Sequence, residues 1–306
     1  MKDVFFTATK DALNSITEIF DSVWPIAVGL WNLRKMVNET KQKSPGITEK
    51  DFATIFTQGS GIHGVNFKHA FFERTWEQQQ SDFAWIILNS TLPIYEEWLE
   101  TLKATFFHDI SKSKMKSPYE IRKEVSRLTC NQSSVLTNAF YSTFCGKRDR
   151  DYLHIEGLMC CFRVFKEARN CYMHQGAKAD SDMIRAYQEY KKTVTKAVLG
   201  VTEIPEFFPP TLNEEIRLSL RGVVGFSYVL IKILVSLDTE LLCSANAEDE
   251  LITRFKEKHN IMRTLSTNSD KAQSQVIHYI KQCSFPTPTA VDEVKDFLLN
   301  HHLVSK

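Results

Sequence analysis

No Cys-x-x-Cys pair occurs among the seven cysteines, at positions 130, 145, 160, 161, 171, 243 and 283. An odd count with that spacing excludes a disulfide framework and a clustered zinc site, and fits the reduced thiols of a cytosol. Charge of one sign is not in excess either: 38 Lys+Arg stand against 37 Asp+Glu. That excludes a uniformly basic nucleic-acid binder, so any nucleic-acid contact must be local. The glycines of QGSGIHGVNF (58–67) match neither a P-loop nor a GxGxxG after a strand, and read as a flexible connection. Long apolar runs are missing. The most apolar, Val223 to Leu237, is about fifteen residues and contains Lys232, which predicts a buried core helix and no membrane span. The opening MKDVFFTATKDAL carries no apolar h-region, so no signal peptide is read and a cytoplasmic location is expected.

What is present is helical periodicity. No Asn-Gly or Asp-Gly turn separates alternating segments, and 306 residues suffice to bury a core, so an all-α fold is expected. Residues 11–42 form one long helical pattern, with a kink or break expected at Trp24-Pro25. A second spans about 67–108, with Pro93 as the expected break. SKSKMKSPYE is a basic Ser/Lys stretch that starts a new helix at its proline; it reads as solvated surface or as an RNA-phosphate contact. A helix capped by Asp151 runs to about His174, another runs from Asp180 or Ser181 to about Gly200, and EIPEFFPPT (203–211) is a linker. A long apolar helix, 212–242, precedes a polar tail with three short helical patterns. The expected division is a helical bundle over 1–242 and a small helical region over 243–306.

Within FKEARNCYMHQGAKADS (165–181) an apolar pattern ends in Arg, Asn and His. Ile155, Leu158, Phe162 and Phe165 make one core-facing stripe, and the next position in it is Arg169. A guanidinium there needs an anionic partner. Arg163, Glu167, Asn170 and His174, spaced four, three and four, stack along a polar face, which puts Asn170 in reach to orient the His174 ring. Gln175-Gly176 reads as the helix stop. A histidine in the last turn feels the negative end of the helix dipole, which favours its protonated form and suits acid–base work. Arg169 and His174 lie about 140° apart on a straight helix. They meet if the arginine stem curls round, if the last turn distorts, or if two copies of the helix meet across a two-fold axis. The loose spacing Arg-x(4–6)-His occurs three times, at Arg148/His154, Arg169/His174 and Arg254/His259. A four-residue gap alone has a chance expectation of roughly 0.4, and demanding Asn directly after Arg lowers it to roughly 0.02. Only Arg169 passes that test; RFKEKHN, around Arg254, reads as a solvated helix face, and Arg148 as loop or surface charge.

ARNCYMHQG, with Arg169-Asn170 followed by His174 at a helix end, resembles the Arg-polar-x(3–5)-His motif of the HEPN superfamily. The resemblance covers about ten residues and their helical setting. It implies an HEPN-like helical bundle with additional helices, generally dimeric, and a metal-independent endoribonuclease of the toxin, abortive-infection or antiviral-defence kind, with no cofactor. Arg169, Asn170 and His174 are then the catalytic set, RNA the substrate, a homodimer the builder of a composite site, and a regulatory or antitoxin partner the restraint. The toxin subgroup partnered with nucleotidyltransferases carries His-x-Tyr, whereas Gly176 stands here, so that antitoxin mode is not expected.

Other constellations read plainly. His301-His302 are surface residues, Cys160-Cys161 small core residues, and the five tryptophans core or interface packing with a few placed to stack on bases. Two rival functions stand: a non-catalytic HEPN-like scaffold or RNA-binding module, and a nucleotide-binding regulator using glycines 59–64.

Overall fold

Several helix starts in this chain are written by Thr, Asp, Ser and Asn side chains. Thr48 and Thr75 each close a reciprocal capping box, with Asp51 and Gln78 respectively. Asp180, Ser219 and Asn268 accept from the backbone N–H three residues on. The computed structural model describes residues 3–147 and 149–306, and among these the chain is all-α. The helices are α1 Thr7–Lys43, α2 Glu49–Thr57, α3 Trp76–Thr105, α4 Lys112–Met115, α5 Ile121–Leu128, α6 Ser134–Leu136, α7 Ser142–Cys145, α8 Ile155–Gln175, α9 Ser181–Thr193, α10 Lys196–Leu199, α11 Leu220–Leu241, α12 Glu248–Lys258, α13 Ser269–Gln282 and α14 Val291–Asn300. Two-residue strands β1 (Arg263–Thr264) and β2 (Val304–Ser305) pair in parallel.

Helix α11 is the axis of the fold. Val223, Phe226, Leu230, Ile233, Leu234 and Leu237 are fully buried, and α3, α8, α1 and α5 pack around it. By length and composition it has the makings of a membrane span, but about two thirds of its most apolar window is buried by protein. Lys232 inside it donates to the Leu199 carbonyl at 2.7 Å and lies 3.9 Å from Asp151. Residues 243–306 feed the same contiguous core: Leu251, Phe255, Ile280 and Leu298 join it, and Phe285 meets Phe5 at 5.2 Å between ring centroids. A second, smaller core forms where α1 ends, with Val37, Phe52, Phe67 and Phe71 buried together.

Pro25, where the sequence predicts a kink or a break, and Pro93, where it predicts a break, both lie inside continuous helices. α1 runs on through Pro25 and α3 through Pro93. Each proline removes one backbone hydrogen bond. Apolar residues on both sides are buried in the one core and hold each helix together across its proline, Val23 and Ala27 around Pro25, Leu92 and Tyr95 around Pro93. The expected helix over 212–242 begins only at Leu220. Asn213 and Ile216 instead donate to the carbonyls of Ala179 (2.8 Å) and Ala177 (2.8 Å), and Ala179 donates to Glu214 (2.9 Å). The basic stretch opens a helix at Lys112, ahead of Pro118, and the following helix starts at Ile121.

The start of α1 is capped from a distance. Asp238 on α11 accepts from the backbone N–H groups of Phe5 (2.7 Å) and Phe6 (3.0 Å), and Glu250 on α12 accepts from the Thr7 N–H (2.8 Å) and hydroxyl (2.7 Å). Arg254 donates to the Phe5 and Cys283 carbonyls and stacks over Phe285. The expectation that RFKEKHN is a solvated face is therefore corrected: Arg254 is mostly buried and His259 is buried between Phe255 and Tyr279. Phe5, Cys283 and Tyr279, which help to enclose them, lie far off in sequence, where local patterning has no view.

Candidate functional site

Helix α8 carries the Arg-Asn-x(3)-His segment. A 3₁₀ turn capped by Asp151 leads into it, and Ile155, Leu158, Phe162 and Phe165 form the fully buried stripe that the spacing predicts. Phe162 meets Tyr95 at 4.7 Å, and Phe165 stacks on Phe226 at 4.5 Å. The helix ends at Gly176 in the left-handed conformation, as the sequence indicates, and Ala177 follows at φ 64°. Its N–H closes the last turn on the Cys171 carbonyl at 3.1 Å. Beyond it, residues 177–179 are zipped to 213–216, and Gln175 donates to Asp180 at 2.9 Å, so the exit from α8 is held on two sides.

The three candidate residues do not converge within one chain. Helices α3 and α8 run antiparallel, touching through Tyr95–Phe162 at one level and Trp85–Tyr172, 4.4 Å apart, at another. Between those contacts lie Asn89 on α3 and Arg169 on α8. Each has a buried side-chain atom with no hydrogen-bond partner among the described residues: the Asn89 Oδ1, an acceptor, and the Arg169 Nε, a donor. Arg169 thus enters the seam with α3, where its charge also reaches Glu96. Burial works against that carboxylate, but the Lys116 hydrogen bond and the fields of Lys116, Lys166 and Arg169 outweigh it and hold the Glu96 carboxyl below its ordinary value. Asn170 and His174 lie on the polar face instead. The Asn170 amide donates to Glu167, one turn back, at 3.1 Å and not to His174, as the spacing had suggested. His174 stands exposed in the last turn.

Along that same polar face, toward the start of α8, a cavity of about 560 Å³ opens between the 112–118 segment and α8. Lys112, Lys116, Arg163 and Lys166 line it, against the single acid Glu167, with the Ser113 and Ser117 hydroxyls between. Three of the cations are steadied from behind: Lys112 by Glu100, Lys116 by Glu96 at 2.9 Å and Arg163 by Glu189 at 2.8 Å. Lys166 has no ion pair or hydrogen bond among the described residues. Its ammonium is pushed below the ordinary lysine value, first by burial and then by the charge of Lys116. The sequence marks the Ser/Lys stretch as a charge run, but that it faces Arg163 and Lys166, about fifty residues on, is a tertiary fact.

The other sequence candidates fall into place. Cys160 and Cys161 are buried, and burial raises both thiols, Cys160 to about 11, which makes them inert core residues. Among the described residues no three His, Cys, Asp or Glu side chains gather as a metal site, and His301 and His302 are exposed. Gly59, Gly61 and Gly64 take left-handed φ in an exposed loop where an added Cβ meets nothing within 4 Å. Arg148 lies outside the described residues, and its spacing partner His154 contacts Asp151 at 2.9 Å. A wider cleft of about 930 Å³ is walled by the Trp85–Tyr172 stack, Phe208 and the paired Arg74 and Asp82. Comparisons with family models, with curated proteins and with solved structures find no match for this chain.

Proposed function

We propose that this chain is a metal-independent endoribonuclease whose site is completed between two copies. One observation carries the reading. The end of α8 holds Arg169, whose Nε is buried without a hydrogen-bond partner among the described residues, and, round the helix, an exposed His174. In this reading two such helices meet across a two-fold axis and the Arg169 guanidinium turns out of the α3 seam toward the histidines of both chains. Cleavage then proceeds by attack of the ribose 2′-oxygen on phosphorus. His174 takes the 2′-hydroxyl proton, Arg169 stabilises the charge on the phosphorane oxygens, and His174 of the partner subunit protonates the departing 5′-oxygen as the P–O5′ bond breaks. The products are a 2′,3′-cyclic phosphate and a 5′-hydroxyl, and DNA, lacking the nucleophile, resists. A toxin or antiviral-defence role with a restraining partner is the setting this reading proposes.

A second reading is a non-catalytic RNA-binding module. It is favoured by the cation-lined cavity, which Arg169, Asn170 and His174 do not line, and by the use of the Asn170 amide on Glu167. The deciding experiment is cleavage of an end-labelled structured RNA in EDTA by wild type and His174→Ala. Cutting with cyclic-phosphate ends, lost in the variant, supports the ribonuclease. Absence of cutting by a wild-type protein that binds the RNA moves the assignment to the module, and equal cutting by both proteins removes His174 from the site. Sedimentation of an active monomer overturns the composite site.

A further inference from the structure

We infer that the cavity between residues 112–118 and α8 is a binding subsite for the backbone phosphates of an RNA strand, which leaves it along the polar face of α8 toward Asn170 and His174. The identity of the polyanion as RNA rests on the ribonuclease reading; the anion site itself rests on the cavity. Its wall presents four cations and one acid, and its volume, about 560 Å³, lies in the range of sites that enclose a small ligand or a nucleotide. Surface lysines normally find a counter-ion or full hydration. Lys166 lines the cavity partly buried beside Lys116, makes no ion pair among the described residues and has only the longer-range fields of Glu167 and Glu96 to offset its charge, which an incoming phosphate would meet directly. Glu100, Glu96 and Glu189 hold the other three cationic side chains in position, so little side-chain freedom is lost on binding.

Two further features select a polynucleotide over a compact anion. Tyr119 follows Pro118 at the lip of the cavity, 58% exposed, and shares Glu189 with Arg163, which leaves its ring as a platform for a base. The cavity also continues into a face. Arg163 and Glu167 line it, Asn170 is hydrogen-bonded to Glu167, and His174 comes one turn later, about 12 Å along the axis from Lys166. A strand anchored in the cavity therefore reaches His174 within a few nucleotides.

The test uses the full chain and a fluorescent single-stranded RNA methylated at every 2′-oxygen, so that binding is read without cleavage. Fluorescence anisotropy is followed at several salt concentrations for wild type, Lys112→Gln/Lys166→Gln, Tyr119→Ala and a charge-matched control, Lys256→Gln/Lys258→Gln on α12. The cavity pair is expected to lose ten-fold or more in affinity at low salt. The slope of log K against log salt should fall by about 1.4, two cations at about 0.7 each on single strands. Tyr119→Ala should lose about five-fold or more, and the control less than two-fold. Circular dichroism melts confirm folding; should Lys166→Gln unfold the chain, Lys112→Gln/Lys116→Gln on the facing wall carries the same expectation. Equal losses in the cavity pair and the control overturn the inference, as does wild type that fails to bind RNA at low salt. A protein stabilised by inorganic phosphate through Lys166 but indifferent to RNA overturns it too, in favour of a small-anion site. Cleavage is scored separately on unmethylated RNA. Cavity-dependent binding without cutting sinks the ribonuclease reading and leaves the subsite, whereas cutting that ignores the cavity does the reverse.

Discussion

Two polar regions of this molecule, one buried and one half-buried, are treated in opposite ways. Where α1 begins, Asp238, Glu250 and Arg254 saturate the backbone of residues 5–7, and the acceptors and donors match. Along the polar half of α8 and its seam with α3, the Arg169 Nε, the Asn89 Oδ1 and the Lys166 ammonium have no hydrogen-bond partner among the described residues, and His174 faces solvent. Buried polar groups are almost always paired, and an unpaired one costs free energy. The first region is therefore architecture, and the second is where the fold tolerates a cost that a ligand or second chain can relieve.

The comparison breaks or sharpens in four measurements. Asp238→Ala leaves two buried N–H groups without acceptors and should cost about 3–5 kcal/mol in urea unfolding. His174→Ala, at an exposed position, should change stability by less than about 0.5 kcal/mol in the same assay. Similar losses in the two variants would erase the distinction.

Next in size is a pH effect. Burial, opposed by the Phe5, Phe6 and Thr9 hydrogen bonds and by Arg150, pushes the Asp238 carboxyl up from 3.8 to about 6. Between about pH 4 and 6 the folded state then binds more protons than the unfolded chain, so this group's contribution to stability falls as pH rises, by roughly 2–3 kcal/mol, and is level above about pH 6. Urea midpoints of wild type minus those of Asp238→Asn should isolate that slope. A flat difference would place the Asp238 value near that of an ordinary aspartate.

Smaller still, Lys166→Met removes a partly buried cation that makes no ion pair among the described residues and that the fields of Glu167 and Glu96 only partly offset, and should raise stability by about 1 kcal/mol in thermal melts. A clear loss would move Lys166 into the architectural class. Last, Ala177 holds φ 64° against its Cβ, so Ala177→Gly should stabilise by about 0.5 kcal/mol; destabilisation would mean that its buried methyl outweighs the strain.

Much of the fold is legible because its signals are local. The caps at Asp151 and Asp180, the stop at Gly176 and the stripe through Phe165 each need only a few neighbours in sequence, and each is where the pattern puts it. Misreadings occur where a distant partner decides. Pro25 and Pro93 look like breaks until both flanks are seen buried in one core, and 212–219 looks helical until its backbone is found paired with 177–179. Arg254 looks solvated because Phe5 and Cys283 stand 249 and 29 residues away. At the candidate site the spacing Arg163, Glu167, Asn170, His174 correctly describes one face. It does not reveal that Lys112 and Lys116 come to meet it, nor that Arg169 turns into the α3 seam.

The remote capping of α1 bears on the order in which the chain can fold as it is made. Phe5, Phe6 and Thr7 leave the ribosome well before their acceptors, since Asp238 and Glu250 follow 232 to 243 residues later. At 5–20 residues per second that interval is about 12–50 seconds. During it the start of α1 lacks its acceptors, so residues 5–7 close only once α11 and α12 have been made, and a nascent chain halted before α12 carries an α1 with a frayed beginning.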